Sequence, residues 1–260
     1  MRETWDTRLD RARELASKDG AARELLTFYA ALLAAQKDIY EYMRRLESWL
    51  PSGLLEQDLD ALVPALPRLL NAVEKAGPAS LAEGAAELSR KADSEIRAYL
   101  LAYWREPSDL QFFAKVFLQP YANWMIETGA RPIDRGLPAA ENRCPMCAGK
   151  PQVSFLLAHE SEGSARYLLC SNCLSSWNFR RLLCANCGEE EPARLGYFHT
   201  PEYDHSRVDT CDTCKYYIKS VDLTRLGLAV PLVDEVAAAA LDVWAREQGL
   251  TKIELNVVGL

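Results

Sequence analysis

Apolar residues recur every seven positions early in the chain, at Leu25, Leu32, Ile39 and Leu46, with Tyr29 and Met43 beside them. That spacing lines one face of a helix. The repeat is short and Gln36 interrupts it, so a bundle helix is expected rather than an extended coiled coil. Pro51, Ser52 and Gly53 end it. Short helical stretches are predicted over 54–75 and 80–104, parted by Gly77 and Pro78. Pro64 and Pro67 should break or tighten the first of these. Pro107, Ser108 and Asp109 mark a start before a helix at 110–118 carrying Phe112, Phe113, Val116 and Phe117, with Tyr121 and Trp124 close behind. Such a stripe reads as core rather than as a partner surface. Gly129 closes the region.

Past Gly129 the pattern changes. Residues 131–143, with Pro132, Gly136 and Pro138, read as a linker. Short strands are then expected at 153–157, 165–169, 177–183 and 194–198. Further on, Val236, Ala240 and Trp244 share one face of a helix over about 232–248, with Gly249 as its stop signal. A last strand is expected within 251–258. This end must pack on something, because one amphipathic helix is not stable alone.

Composition narrows the classes of function. The chain has 260 residues, of which 49% are apolar and 26% charged, so it should be globular. The net charge of −7 makes nucleic acid a poor partner, since phosphate backbones call for Lys/Arg clusters. The opening Met1-Arg2-Glu3-Thr4-Trp5-Asp6 has neither the apolar run nor the cleavage site of a secretory signal. No segment approaches the roughly 20 apolar residues that span a bilayer. A soluble cytoplasmic protein is expected, not embedded in a membrane. No catalytic triad, Gly-rich phosphate loop or catalytic carboxylate pair is evident, so no enzyme is expected. Oligomeric state is not specified by these patterns.

The candidate chemistry lies in the cysteines. All eight fall between Cys144 and Cys214, as the Cys-x-x-Cys pairs Cys144/Cys147, Cys170/Cys173, Cys184/Cys187 and Cys211/Cys214. In a reducing compartment such pairs are metal ligands before they are disulfides. Two thiolates on one tight turn point at the same ion, and a second turn completes the tetrahedron that zinc or a single iron accepts. Cys147 and Cys170 enclose 22 residues, Cys187 and Cys211 enclose 23, and ten separate Cys173 from Cys184. The near-match reads as a duplicated zinc-ribbon or rubredoxin-like unit and favours two sequential four-cysteine sites, though spacing alone also admits an interleaved cross-brace. His159, His199 and His205 read as loop residues rather than ligands. Trp177, Arg180 and Arg181, between the two units, read as packing and solvating residues. From Cys144 to Cys214 there are six Lys/Arg and nine Asp/Glu, which argues again against a nucleic-acid ribbon.

The predicted fold is therefore α+β: an all-α helical domain at 1–130, the linker at 131–143, tandem rubredoxin-like modules at 144–178 and 179–221, and a C-terminal helix and strand at 222–260.

With these residues laid out, the sequence resembles the formate dehydrogenase accessory proteins of the FdhE type over nearly the whole chain. The resemblance rests on the aromatic-rich stretch 110–121 and on the run from Cys144 through Pro145, Met146, Cys147, Ala148, Gly149 and Lys150 to Pro151. It continues through Leu169-Cys170-Ser171-Asn172-Cys173, Trp177, Cys184-Ala185-Asn186-Cys187-Gly188 and Cys211-Asp212-Thr213-Cys214-Lys215. It ends with Leu241 to Ala245 and Asn256-Val257-Val258-Gly259. It implies a cytoplasmic maturation factor that binds the catalytic subunit of a respiratory formate dehydrogenase before twin-arginine export. It also implies iron at the two sites, with zinc the alternative. Rubredoxin-like knuckles often place Gly after the second cysteine; Gly188 fits, whereas Ala148, Leu174 and Lys215 depart from that pattern.

Overall fold

The computed structural model describes residues 4–18, 20–47, 49–134, 140–158 and 163–260. The Thr4 hydroxyl accepts from the Thr7 N–H at 3.1 Å and caps α1 (Trp5–Ala16), which buries Trp5, Leu9 and Ala12. Next, α2 (Arg23–Arg44) buries Leu32 and Ile39 of the seven-residue seam together with Leu26, Tyr29, Leu33 and Met43. Leu25 is half-buried, and the helix ends ahead of the expected Pro51, which leaves Leu46 beyond it. Helix α3 (Leu55–Leu62) runs through a single 3₁₀ turn (Val63–Ala65) into α4 (Leu66–Ala76). Pro64 and Pro67 stand in the first positions of the turn and of α4, where no N–H is missed. The stretch expected over 80–104 is two helices, α5 (Ala79–Ser89) and α6 (Asp93–Arg105).

The long helix α7 (Phe112–Glu127) passes through the core with Val116, Phe117, Leu118, Tyr121 and Met125 buried. Pro120 lies inside it and has no N–H to offer the Val116 carbonyl one turn back. That carbonyl accepts instead from the Gln36 side-chain amide at 2.9 Å, and the same amide reaches Gln119 Oε1 at 3.0 Å. The polar break in the α2 seam is thus the partner of the proline in α7. Among the described residues no helix is long and apolar enough to cross a membrane.

The second half builds one sheet. Its strands are β1 (Pro151–Ala158), β2 (Ser164–Cys170), β3 (Ser176–Phe179), β4 (Leu195–His199), β5 (Ser206–Cys211), β6 (Tyr216–Asp222) and β7 (Thr251–Lys252). The order is β3-β2-β1-β6-β5-β4, with β7 beside β6. Two three-stranded antiparallel halves meet where β1 pairs with β6 in parallel, Val153 opposite Lys219 and Phe155 opposite Val221. Strand β6 supplies that seam, and neither β5 nor β6 is among the four strands expected from sequence. The linker positions Gly136 and Pro138 lie outside the described residues, as does His159.

In place of one C-terminal helix there are two, α8 (Pro231–Ala237) and α9 (Ala239–Glu247), broken at Ala238. The physical reason is the buried Lys219, whose ammonium donates to the carbonyls of Glu235 and, at 3.4 Å, of Ala238. Lys219 and Lys252 together face Glu235 and Asp242, all four almost wholly buried, and Tyr217 donates to Asp242 at 2.8 Å. Two cations against two anions leave no net charge in this part of the interior. The α1 and α8 helices are joined by the Arg11 fork on Asp234, at 2.6 and 3.1 Å.

Candidate metal centres

Each Cys-x-x-Cys pair sits on a tight turn. The N–H of Ala148 donates to the Cys144 carbonyl (2.9 Å), that of Gly188 to Cys184 (3.1 Å) and that of Lys215 to Cys211 (2.8 Å). The turn demands a left-handed residue after the second cysteine. Gly188 supplies it at φ +77°, and Ala148, Leu174 and Lys215 adopt it at φ +59°, +59° and +61°. These three are the non-glycine residues with positive φ among those described, so the chain keeps the knuckle backbone without the glycines. Backbone N–H groups of Met146, Asn172 and Asn186 point at the sulfurs of Cys144, Cys170 and Cys184, each at 3.4 Å. Such donors spread the charge a thiolate would carry.

The grouping is sequential. Cys144, Cys147, Cys170 and Cys173 form one cluster; Cys184, Cys187, Cys211 and Cys214 form the other, each with its sulfurs within 4.8 Å of one another. In the first, Cys144 Sγ lies 3.6 Å from Cys173 Sγ and Cys147 Sγ 3.5 Å from Cys170 Sγ; in the second the matching pairs are at 3.7 and 3.8 Å. Four sulfurs about 2.3 Å from one central ion stand roughly 3.8 Å apart, so the donor set has the size of a tetrahedral metal site. It is too wide for disulfides, and all eight cysteines are free thiols.

The two clusters sit in different surroundings. All four sulfurs of the first are buried, and its cysteines belong to the main hydrophobic core. Helix α7 turns a polar stripe toward it: Gln119 donates to the Ser171 carbonyl (2.7 Å) and Asn123 to that of Cys173 (3.3 Å). One turn earlier, Lys115 holds the C-terminal tail through Glu254 (2.8 Å) and the Leu255 carbonyl (2.6 Å). The Asn172 side-chain amide faces Cys147 Sγ at 3.6 Å. At Gly149 an added Cβ would stand 2.8 Å from Cys170 Sγ and 3.3 Å from Cys147 Sγ, so only glycine lets the backbone pass this close. As free thiols this cluster is uneven: burial pushes Cys170 well above the ordinary thiol range, while hydrogen bonding to Cys144 holds Cys147 well below it. A cation removes that conflict.

In the second cluster Cys187 is exposed and Cys214 half-buried. Burial pushes the Cys184 thiol up to about 12. The Glu189 carboxylate braces the knuckles, accepting from the N–H groups of Glu190 and Glu191 and from the Thr213 hydroxyl. Arg166, almost wholly buried, donates to the Leu183 carbonyl at 3.1 Å and pairs with Asp209 at 3.2 Å. It places a cation behind the residue that precedes Cys184.

All eight predicted cysteines are thus brought together in two sets. His199 and His205 stand outside both clusters, and His205 instead faces Asp234 at 3.1 Å. Trp177 donates to the Glu141 carbonyl, and Arg180 pairs with Glu141 and Glu190. Gly149, Gln119, Asn123 and Arg166 escaped the sequence reading as site residues. The i, i+4 spacing of Gln119 and Asn123, with Lys115 before them, is a legible polar stripe on a helix read for its aromatics.

Two family models match the region just described, the FdhE central domain over 143–181 and the FdhE C-terminal domain over 182–258. A protein named as an FdhE homologue from Aquifex aeolicus is 32% identical over 96% of this chain and 94% of its own length. One from Pseudomonas aeruginosa is 28% identical over 84% of this chain and 69% of its own length. Among solved structures, the FdhE protein from Pseudomonas aeruginosa superposes with a TM-score of 0.75 at 21% identity, covering 99% of this chain and 97% of that one, which establishes a shared fold. With knuckles, fold and full-length similarity in agreement, the chain belongs to the FdhE family.

Proposed function

We propose that this protein is a non-enzymatic, metal-binding accessory factor that engages the catalytic subunit of a respiratory formate dehydrogenase in the cytoplasm, before twin-arginine export. The eight cysteines are its ligands and hold one ion per cluster, iron in preference to zinc. The carrying observation is that each cluster presents four cysteine sulfurs and so a complete tetrahedral set. Catalytic sites of this kind keep one position open for water or substrate, and structural sites close it. Bound metal would tie two knuckles together and add cross-links to a sheet that packs directly on the helices. Family membership supports the client, and the net charge of −7 argues against nucleic acid.

The test is purification without oxygen from cells making the formate dehydrogenase, followed by metal analysis, a visible spectrum and identification of co-purifying chains. Two metal ions per chain and recovery of the catalytic subunit are expected. Repeated absence of that subunit under mild conditions would overturn the accessory reading. A second reading, electron transfer to or from the client, draws on the exposure of Cys187, which brings one centre to the surface. It requires iron: four-thiolate ferric iron absorbs visible light, whereas zinc has a full d shell and is colourless. A colourless preparation holding two zinc ions would remove the second reading and leave the first.

A further inference from the structure

The sheet has two edges, and they are treated differently. Edge β3 is four residues long and is tied to the chain before Cys144, through Trp177 to the Glu141 carbonyl and Arg180 to the Glu141 carboxylate. Edge β4 has no neighbour on its outer side among the described residues. Its hydrogen-bond phase is set by what flanks it. The Asp212 N–H donates to the Arg194 carbonyl, and the Asp222 N–H to that of His205. In an antiparallel ladder, bonded pairs alternate. Ser206, Val208 and Thr210 therefore bond toward β4, where Gly196 and Phe198 face them across the register. The backbone groups of Tyr197 and His199 and the carbonyl of Leu195 consequently point outward, while the Leu195 N–H is taken by the Pro192 carbonyl.

The side chains of this edge are also unusual. Tyr197 is 63% exposed and Phe198 48%, on opposite faces of the strand. Each is held in place: Tyr197 under the Arg207 guanidinium, 5.3 Å from its carbon, and Phe198 against Trp244 at 4.8 Å. Exposed edges are normally blunted by a lysine or proline within the strand, and the β4 sequence, Leu195 to His199, has neither. The charge around it is lopsided. Residues 189–212 carry seven carboxylate side chains against two arginines, a formal −5 in a chain whose total is −7. Glu190, Glu191, Glu202, Asp204 and Asp212 are exposed about the two ends of the strand.

We propose that the open edge of β4 is a docking site for an extended, lysine- or arginine-bearing segment of a partner protein, which adds to the sheet as a further strand. Main-chain bonds to the Leu195 carbonyl and to both backbone groups of Tyr197 and His199 supply the pairing. The two aromatic rings flank the added strand, and the surrounding carboxylates select its charge. The inference rests on the accessory-factor reading only for the identity of the protein that carries the segment.

The test uses the full chain and a labelled peptide of about eight residues alternating valine with lysine, a length matched to a strand. Two comparison peptides carry glutamate for lysine, or N-methyl groups on alternate amides. Anisotropy should report salt-sensitive binding of the lysine peptide and none of the glutamate peptide. N-methylation should weaken binding about tenfold or more, the loss of one or two net hydrogen bonds. Hydrogen exchange should slow at the amides of Tyr197 and His199 and change little at Leu195, Gly196 and Phe198, which are already bonded within the chain. Failure of the lysine peptide to bind, equal binding after N-methylation, or protection at β3 instead overturns the proposal. A Glu190→Lys, Glu202→Lys chain, altered only at exposed positions, should lose peptide and client together. If it retains the formate dehydrogenase subunit as well as the unaltered chain does, the edge inference fails and the accessory reading stands. If the unaltered chain binds peptide but retains no such subunit, the accessory reading fails and the edge inference stands.

Discussion

The two four-cysteine clusters share a turn, a sulfur spacing and a hydrogen-bond pattern, yet one is sealed in the main core and the other lies at the surface. The first has α7 across its back and Gly149 pressed to its sulfurs; the second has an exposed Cys187 and a carboxylate brace from Glu189. Two knuckle pairs of one geometry thus stand in two physical settings. A metal in the first would be an internal cross-link whose loss opens the core. A metal in the second would be reachable by chelator, oxidant or partner without unfolding the rest.

The most severe way to break this contrast is to remove one ligand from each cluster. Cys170→Ser should leave the chain largely insoluble or molten, because metal binding at such sites carries folding free energy on the order of 10 kcal/mol. Cys187→Ser should stay folded, with near-UV circular dichroism close to that of the unaltered chain and one metal equivalent missing. If both variants fold equally well, the inequality of the centres is wrong.

Graded chelation sharpens the same point. Under a mild chelator the first metal equivalent should leave with alkylation confined to Cys184, Cys187, Cys211 and Cys214, read by mass spectrometry. Loss of the second should coincide with global unfolding. Simultaneous release of both would mean that burial does not govern access.

Next in size is the pair Gly149→Ala and Gly188→Ala. At Gly149 the new methyl meets two sulfurs, whereas at Gly188 nothing lies within 4 Å and only the left-handed backbone is strained. We expect losses of about 1–3 kcal/mol at Gly149 and about 1 kcal/mol at Gly188, measured by denaturant unfolding. Replacing Gln119 by Leu strips the Ser171 carbonyl of its donor and should cost about 1–3 kcal/mol. No comparable helix group backs the second centre among the described contacts.

The smallest expected effect is a pH dependence centred on His205 and Asp234. The hydrogen bond to Asp234, opposed by burial, raises the His205 pKa, and Asp204 adds to the rise. A raised cation stabilises the fold fully below its ordinary value, about 6.5, and the contribution fades as pH climbs through the folded-state value. Asp234 runs the other way: burial opposes, but His205 and Arg11 hold it below the ordinary carboxylate range. Its contribution is present above that range and is lost as pH falls through the folded value. His205→Gln should flatten the alkaline side of a stability profile and also weaken the acid side, where Arg11 alone would still hold Asp234 down. A profile unchanged on both sides would detach His205 from the fold's energetics.

Much of this was legible because it is local. A Cys-x-x-Cys turn is set by neighbours along the chain, and a seven-residue seam is set by helix pitch. Even the glycine rule at the knuckles held as a backbone requirement while failing as a residue requirement, since Ala148, Leu174 and Lys215 take the left-handed turn themselves. Strands β5 and β6 were not anticipated: Ser206 to Cys211 mixes polar residues with one buried valine, and Lys219 lies in the middle of a buried strand. Nothing local distinguishes such residues from loop. Their strand character follows from their partners in the ladder and, for Lys219, from Glu235 and Asp242 far along the chain.

Sequence by itself determined the α+β division, the apolar face of α2 around Leu32 and Ile39, and the four knuckles, because each follows from short-range spacing. The matching lengths between pairs favoured sequential sharing of ligands, and the structure decided it against the cross-brace. Tertiary structure alone decided that the two modules fuse through β1 and β6 into one sheet. It also decided that α7 caps only one cluster and that Gln36 serves a proline 84 positions away. Which centre is buried depends on what the helices cover, and that contact joins residues whose separation along the chain carries no periodic trace.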